Sequence, residues 1–316
     1  MNLLTPFSMI SLLILASCNP TESDDETDTM TDTTESTNTQ TSTNAQTHLD
    51  SWIINNNSTS GYIFNSGNTI LEDVQVAQIV SVSQNNEDVD YMYVEATGVP
   101  KYNTLITQDM VDELNNRQLA DDDFSNGGTT AIAGEEIAFG EDIGYTVRGT
   151  ICNDTGGEGY WPPGLMCPEN TEKEIYFPVD PIEASESCSA GLGKIGLLVN
   201  GTSVFNWGDG QSFGTNVWYN LAPVAEQYDV DICGGHSADG EYHHHFYTSC
   251  LAELVGDDAS AHSPIYGFAA DGYPIYGPYE SEDTLAVSGW EIRDYSAATS
   301  LGGCGTPDER TCILVD

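Results

Sequence analysis

Basic side chains are scarce in this chain of 316 residues. Only seven are Lys or Arg, against 50 Asp and Glu, and the formal net charge is −43. A field of this sign repels nucleic acid and anionic lipid, which excludes both as partners. Solubility in a salty habitat explains the acidity, because counterions there screen the repulsion. Ca²⁺ binding is the alternative, but the acidic residues 119–128 (LADDDFSNGG) do not have the spacing of ligands, glycine and distal glutamate that an EF-hand loop requires.

Familiar catalytic patterns are also missing. The sequence has no HExxH, SxxK or phosphate-binding glycine loop, and no CxxC that would suggest a zinc ribbon. Ser263 follows His262 directly, and adjacent residues of a strand point apart, so they form no dyad. Carboxylates are too numerous for a glycosidase pair to stand out. The sequence therefore leaves open whether the protein is an enzyme.

No apolar run reaches the roughly 18 residues of a membrane span. Residues 1–18 are a shorter apolar run that ends in LASC, which predicts a lipoprotein signal peptide with Cys18 as the lipidated residue. The first residues, MNLL, depart from that pattern because they carry no Lys or Arg. Residues 19–50, rich in Thr, Ser, Asp and Glu, predict a disordered stalk. The expected location is the bacterial cell envelope, at the outer membrane or cell surface, with membrane contact only through the lipid.

Residues 51–316 form the predicted folded domain. The closing run TCILVD has a strand-like composition, from which we expect a further C-terminal segment in the protein. An exported chain meets an oxidising compartment, so disulfides are expected. Pairing nearest neighbours suggests three bonds and leaves Cys188 over, although sequence alone does not fix the connectivity. The suggested pairs are Cys152–Cys167, Cys233–Cys250 and Cys304–Cys312.

Short strand-like runs separated by Asn, Gly and Ser predict a mainly β fold. Asn200-Gly201 between two apolar runs predicts a hairpin, and Asp271-Gly272 between two PIYG units predicts another, with its proline-bearing strand at an edge. A helix is expected over 108–119, capped by Thr107, and a surface loop over 121–144. The expected architecture is an antiparallel, sandwich-like or irregular β domain with few short helices, supported by disulfides.

Histidines are concentrated in one stretch. Five of the six lie between 236 and 262, and three are consecutive in GEYHHHFYTSC, residues 240–250. On an extended strand His243 and His245 share one face, and Tyr242, His244 and Phe246 the other. Two imidazoles on one face can converge on a metal ion.

Further ligands must come from neighbouring segments. The predicted metal site therefore consists of His243 and His245 with His236 or His262, and Asp231 and Asp239 are further candidates. Imidazole donors suit Zn, Cu, Ni or Fe, so the sequence leaves the ion open; a transition metal, Zn or Cu, is expected, and Ca²⁺, which takes oxygen ligands, is the alternative. A Cys233–Cys250 bond would close a loop around His236, His243 and His245. The predicted supporting residues are Tyr242, His244, Asp231, Asp271, Tyr273 and Tyr276.

The stretches GEYHHHF and HSPIYGFAADGYPIYGPY resemble the YHYH-domain family of exported bacterial proteins. ATGVPKY (96–102), KEIYFPV (173–179), GKIGLLVNGTSVFNWGDGQS (193–212), NVWYN (216–220) and DICGGH (231–236) are similar to its segments in order, so the resemblance covers roughly 52–316. Tyr242, His243 and His245 match three of the four positions that name the family, and His244 replaces the second tyrosine. His236, His262 and Asp271 match other motif positions. The resemblance implies a fold and export rather than an activity.

Three classes of function follow from these observations. The first is an exported, lipid-anchored protein with a histidine-based metal site at 236–262, used to hold or handle the ion. The second is a metal-dependent hydrolase or oxidoreductase with an open coordination position. The third is a metal-independent structural, adhesive or carbohydrate-binding surface module.

Overall fold

The structure is a computed structural model. It describes residues 45–65, 68–84, 87–117, 124–145, 168–185, 191–213, 218–226 and 230–288, with two short strand segments at 305–306 and 309–310. Cys18, Cys152, Cys167, Cys188, Cys304 and Cys312 lie outside these residues, as do the predicted signal peptide and most of the predicted stalk.

Strands dominate the described part of the chain, as the sequence predicted, and the helices are short. The helices are α1 Gln108–Asn116, α2 Ala222–Ala225 and α3 Ser249–Val255. The strands are β1 Thr59–Asn65, β2 Asn68–Leu71, β3 Val74–Gln84, β4 Glu87–Ala96, β5 Asn103–Leu105, β6 Glu136–Ala138, β7 Lys173–Pro178, β8 Lys194–Leu198, β9 Ser203–Phe205, β10 Gly208–Phe213, β11 Trp218–Leu221, β12 Gly235–Ala238, β13 Glu241–His244, β14 Ile265–Ala269, β15 Pro274–Tyr276, β16 Tyr279–Ser281, β17 Thr284–Leu285, β18 Gly305–Thr306 and β19 Glu309–Arg310.

Two sheets enclose the main core. One has six strands in the order β12-β13-β9-β8-β14-β15, and the other has three, β3-β4-β7. Trp52 lies between them, with its ring 5.3 Å from that of Phe268 on β14 and 5.8 Å from that of Phe177 on β7. All three side chains are nearly inaccessible to solvent. Burying such aromatic surface is the main driving force for joining two sheets.

Both predicted hairpins are confirmed. Strands β8 and β9 pair across a turn in which Gly201 has φ 82°, and β14 pairs with β15 across a turn in which Gly272 has φ 92°. Strand β15 lies at the end of the six-stranded sheet. Because Pro274 has no backbone N–H, an edge is where such a strand is tolerated.

The helix predicted after Thr107 is confirmed, and the Thr107 side chain accepts a hydrogen bond from the backbone N–H of Met110. The surface loop predicted over 121–144 was wrong. Phe124, Ile137 and Ile143 are buried in a second apolar cluster that includes Leu114 of α1. These residues are widely spaced among Gly, Asp and Thr, so the sequence shows no periodic pattern there. They nevertheless pack together with helix α1 and bury its apolar face.

Residues 45–50, placed by the sequence in the stalk, are helical. Leu49 packs against the main core, and the ring of His48 lies 5.3 Å from that of Phe268. The folded part therefore begins before residue 51. None of the helices that the structure describes is long and apolar enough to cross a membrane.

Candidate metal centre

Strand pairing brings three histidines together. His236 on β12 lies directly opposite His243 on β13, so their side chains share a face of the sheet. His245 follows two residues later and returns to that same face, as the alternation predicted. The donor nitrogens of His236, His243 and His245 all lie within 4.8 Å of one another.

The register of these strands depends on a tight turn. Asp239 and Gly240 join β12 to β13 with φ values of 49° and 80°, as in a type I′ hairpin. Asp239, a candidate ligand from the sequence, is therefore an exposed turn residue. The Asp-Gly pair is the sequence signal that would have predicted His236 opposite His243.

A neighbouring strand supports the other side of the cluster. Strand β9 runs parallel to β13, and Phe205 on it stacks on His243 with the ring centroids 3.8 Å apart. The next residue, Asn206, presents its backbone carbonyl to Nδ1 of His245 at 2.7 Å. The ring stacked on His243 is therefore phenylalanine, not one of the tyrosines that surround the cluster in the sequence.

Backbone carbonyls determine which nitrogens of the two rings are free to bind an ion. Nδ1 of His243 lies 2.9 Å from the carbonyl of Glu241, and a carbonyl accepts, so Nδ1 carries the proton. The same argument applies to Nδ1 of His245 on Asn206. Burial, and then the neighbouring charge of His236, lower the pKa of His243 to about 3, which keeps that ring neutral. Its Nε2 therefore presents a lone pair, the arrangement usual for metal-bound histidine.

Glu226 is the residue that sequence reasoning missed. It follows helix α2, and its Oε2 lies 3.2 Å from Nε2 of His236 and 3.0 Å from Nε2 of His245. Burial alone would raise the pKa of this carboxyl, but its contacts with the two histidines hold the pKa well below its usual range. Glu226 is one of 50 acidic residues, so composition gave no reason to single it out.

The four side chains have the spacing of a coordination shell. Nε2 of His243 lies 3.0 Å from Nε2 of His236 and 3.2 Å from Nε2 of His245. Oε2 of Glu226 lies 3.2 Å from Nε2 of His236 and 3.0 Å from Nε2 of His245. Tetrahedral bonds of 2.0–2.1 Å would place donor atoms about 3.3 Å apart. These four separations between neighbouring donors lie close to that value, and the three histidine nitrogens all lie within 4.8 Å of one another.

The centre is largely buried. His236 and His243 are 3% and 2% exposed, and the side chains of His245 and Glu226 are 6% and 17% exposed. A catalytic metal keeps one position open for water or substrate, whereas a structural metal has its ligands supplied by the protein. The burial of all four donors favours a tightly held ion.

A disulfide frames the cluster. Cys233 and Cys250 are bonded, as the sequence predicted, and the loop they close contains His236, His243 and His245. Before the loop, the buried carboxylate of Asp231 accepts hydrogen bonds from the backbone of Cys233 and Gly235. Asp231 therefore positions the start of β12 rather than acting as a ligand.

The other face of β13 holds supporting contacts. Tyr242 donates its hydroxyl hydrogen to Asp231 at 2.8 Å. His244 has its Nδ1 directed to the Gly234 carbonyl, and Tyr102 contacts its Nε2 at 3.0 Å. Burial lowers the pKa of His244 to about 3. These contacts hold β13 in place on the face of the sheet opposite the histidine cluster, and His244 lies on that opposite face.

His262 lies outside the cluster. It is exposed, with Nδ1 at 2.7 Å from the carbonyl of Ser263 and its ring 4.9 Å from that of Tyr276. Tyr273 and Asp271 are exposed in the turn between β14 and β15. The β14 strand holds this segment apart from β13, because β8 and β9 lie between them in the sheet.

These features define a β domain built around a buried triple-histidine centre. The family model described as YHYH protein matches residues 174–311, so the chain contains a YHYH domain over that range. The match includes the histidine cluster, its disulfide and both hairpins, and over residues 174–311 it confirms the resemblance found in the sequence. The similar segment at 96–102 lies outside it. No curated protein and no solved structure matches the chain.

Proposed function

We propose that this is an exported, lipid-anchored protein whose YHYH domain holds one transition-metal ion, Zn²⁺ or Cu²⁺. His236, His243, His245 and Glu226 are the ligands. The observation that carries the proposal is the convergence of three ring nitrogens, two of which, on His243 and His245, have their partner nitrogens committed to backbone carbonyls. Lone pairs about 3 Å apart repel one another unless a cation lies between them.

The donor set supports the choice of metal. Three imidazoles and one carboxylate suit Zn²⁺ and Cu²⁺, whereas Ca²⁺ and Mg²⁺ take oxygen ligands. With one ionised Glu226, a divalent ion leaves the buried centre with a single positive charge. The site's burial favours an ion that is held, for structure or retention, over one that turns over substrate.

A metal-free module is the second candidate, favoured by the contact between His245 and Glu226. Without an ion, Nδ1 of His245 still donates to Asn206, so a hydrogen bond from Nε2 to Glu226 at 3.0 Å requires a doubly protonated ring. The cluster would then be an internal ion pair in a structural, adhesive or carbohydrate-binding module.

Calorimetric titration of the chelator-treated chain, purified without a histidine tag, distinguishes the two. We expect one equivalent of Zn²⁺ to bind, and binding to be lost in His243→Ala/His245→Ala. His262→Ala is the matched control, because it removes an exposed histidine outside the cluster, and it should bind as the wild type does. A folded wild type that takes up neither Zn²⁺ nor Cu²⁺ would favour the metal-free module.

A further inference from the structure

Strand β3 is a long edge strand without charge. Its 11 residues, VQVAQIVSVSQ, include no charged residue, proline or glycine, although 50 residues of the chain are acidic. It lies at one end of the three-stranded sheet, where the backbone of Val74 pairs with residues 53–55. Within the described chain, no strand and no backbone hydrogen bond covers the outer edge of β3 over residues 76–84. Such a row of backbone N–H and C=O groups is a template for pairing with another strand.

The other edges of the two main sheets are protected against such pairing. Strand β15 carries Pro274, and β7 carries Pro178 and the exposed Glu174. Strand β12, at the remaining end of the six-stranded sheet, is largely buried. Proline and charge are the usual means by which proteins block an exposed edge. Among these four edges, β3 is therefore the one that is exposed and carries neither.

The far half of the β3–β4 hairpin protrudes beyond the three-stranded part of its sheet. Strand β7 pairs with β4 only from Tyr91 to Ala96, so residues 81–84 of β3 and 87–90 of β4 form a two-stranded ribbon. Val82 and Val89 are paired in this ribbon, and Val89 is 37% exposed. A two-stranded ribbon is marginally stable by itself in water. A further strand beside β3 would widen the sheet there.

A second copy of this chain can occupy the edge despite the net charge of −43. The nearest carboxylates belong to β4, where Asp88 and Asp90 accept hydrogen bonds from Ser83 and Ser81. Neighbouring strands lie about 4.8 Å apart, so these carboxylates would be about 10–14 Å from those of the copy. That distance exceeds the Debye length of about 8 Å at physiological salt, which screens their repulsion. A basic partner, by contrast, would find no carboxylate on β3 itself.

We propose that two copies of this chain pair antiparallel along β3 and form one continuous six-stranded sheet. The contact is self-complementary, as a two-fold axis requires. Val80 lies at the middle of the free edge 76–84, so it faces Val80 of the second copy. Residues 81–84 then lie beside residues 76–79 of that copy, where its sheet has three strands. The pairing does not depend on the metal, because the histidine cluster lies in the other sheet.

Sedimentation equilibrium of the purified chain, without a histidine tag, tests the pairing. In about 0.15 M NaCl we expect a dimer. Val80→Glu, which places two carboxylates opposite each other, should weaken the dimer about tenfold. Part of that loss should be recovered in about 1 M NaCl, where the Debye length is about 3 Å. Val89→Glu is the matched control, because it makes the same change in the same hairpin but on the inner strand β4, and its dimer should match the wild type.

An equal mixture of Val80→Glu and Val80→Lys is a second test, because opposite charges then face each other. The mixture should dimerise more tightly than either variant alone. Circular dichroism checks that each variant is folded. A monomeric wild type, an unchanged dimer in Val80→Glu, an equal loss in Val89→Glu, or a mixture no tighter than its components would each overturn the proposal.

Discussion

Replacing Cys233 and Cys250 by alanine should weaken both the fold and metal binding. The disulfide joins residues 17 apart in sequence, and opening a loop of that length costs about 3 kcal/mol of stability in the chain-entropy description. All three histidines of the proposed metal site lie within the loop. In the variant without the disulfide, the bound ion would have to close this loop itself. If the ion supplied the whole free energy of loop closure, its affinity would fall about a hundredfold.

Strand pairing around the cluster should make the loss of metal affinity smaller than this. Strand β13 keeps its pairing with β12 and β9 when the disulfide is absent, so most of the ligand geometry survives. We therefore expect a loss of about 3 kcal/mol in the free energy of unfolding. The loss of Zn²⁺ affinity should be nearer tenfold than a hundredfold.

Urea unfolding and Zn²⁺ titration of the double variant measure the two effects. Thr104→Val is the control, because the Thr104 hydroxyl contacts Sγ of Cys250 at 2.8 Å, and this variant removes the contact without opening the loop. Its stability should change by about 1 kcal/mol. If the double variant matched Thr104→Val in both stability and Zn²⁺ affinity, the loop would contribute nothing to the centre, and the reasoning would fail.

Three further predictions concern single side chains. Burial raises the pKa of Asp73 from 3.8 to about 7, so the stabilisation from its proton is complete below the unfolded value and is lost as pH rises through 7. The free energy of unfolding of Asp73→Asn, relative to that of the wild type, should therefore rise by about 2–3 kcal/mol from pH 5 to pH 8 in urea unfolding. A difference between variant and wild type that stays constant with pH would contradict this. Glu226→Gln should lower Zn²⁺ affinity at least about tenfold in calorimetry, and an unchanged value would remove Glu226 from the shell. Phe205→Ala should lower that affinity about tenfold, because His243 loses the ring stacked on it; Phe205→Tyr, which keeps a stacked ring, should not.

Local signals in the sequence predicted much of the fold. In Asn200-Gly201 and Asp271-Gly272 the glycine adopts a positive φ that few other residues adopt, which fixes the hairpin, and Thr107 caps its helix through a bond to a residue three positions away. Each depends on neighbours in the chain. The buried segment around Phe124 was missed because its burial depends on contacts with Leu114 and Ile143, and no local period marks it.

Some residues of the candidate site could likewise be predicted from local sequence signals, and others could not. The shared face of His243 and His245 follows from strand alternation, and His236 joins them through a short hairpin. Glu226 and Phe205 come from elements 17 and 38 residues before His243, so only the folded chain reveals them. His262, close in sequence, was expected in the centre but is separated from it by two strands of the sheet.

Elemental analysis of the untagged chain as isolated from an oxidising compartment tests the central claim most directly. The account predicts close to one equivalent of zinc or copper per chain. It also predicts that His243→Ala/His245→Ala loses the metal and that His262→Ala keeps it. A folded, metal-free wild type that stays empty after incubation with Zn²⁺ and Cu²⁺ would contradict the account, and the three histidines would then form an internal ion pair with Glu226.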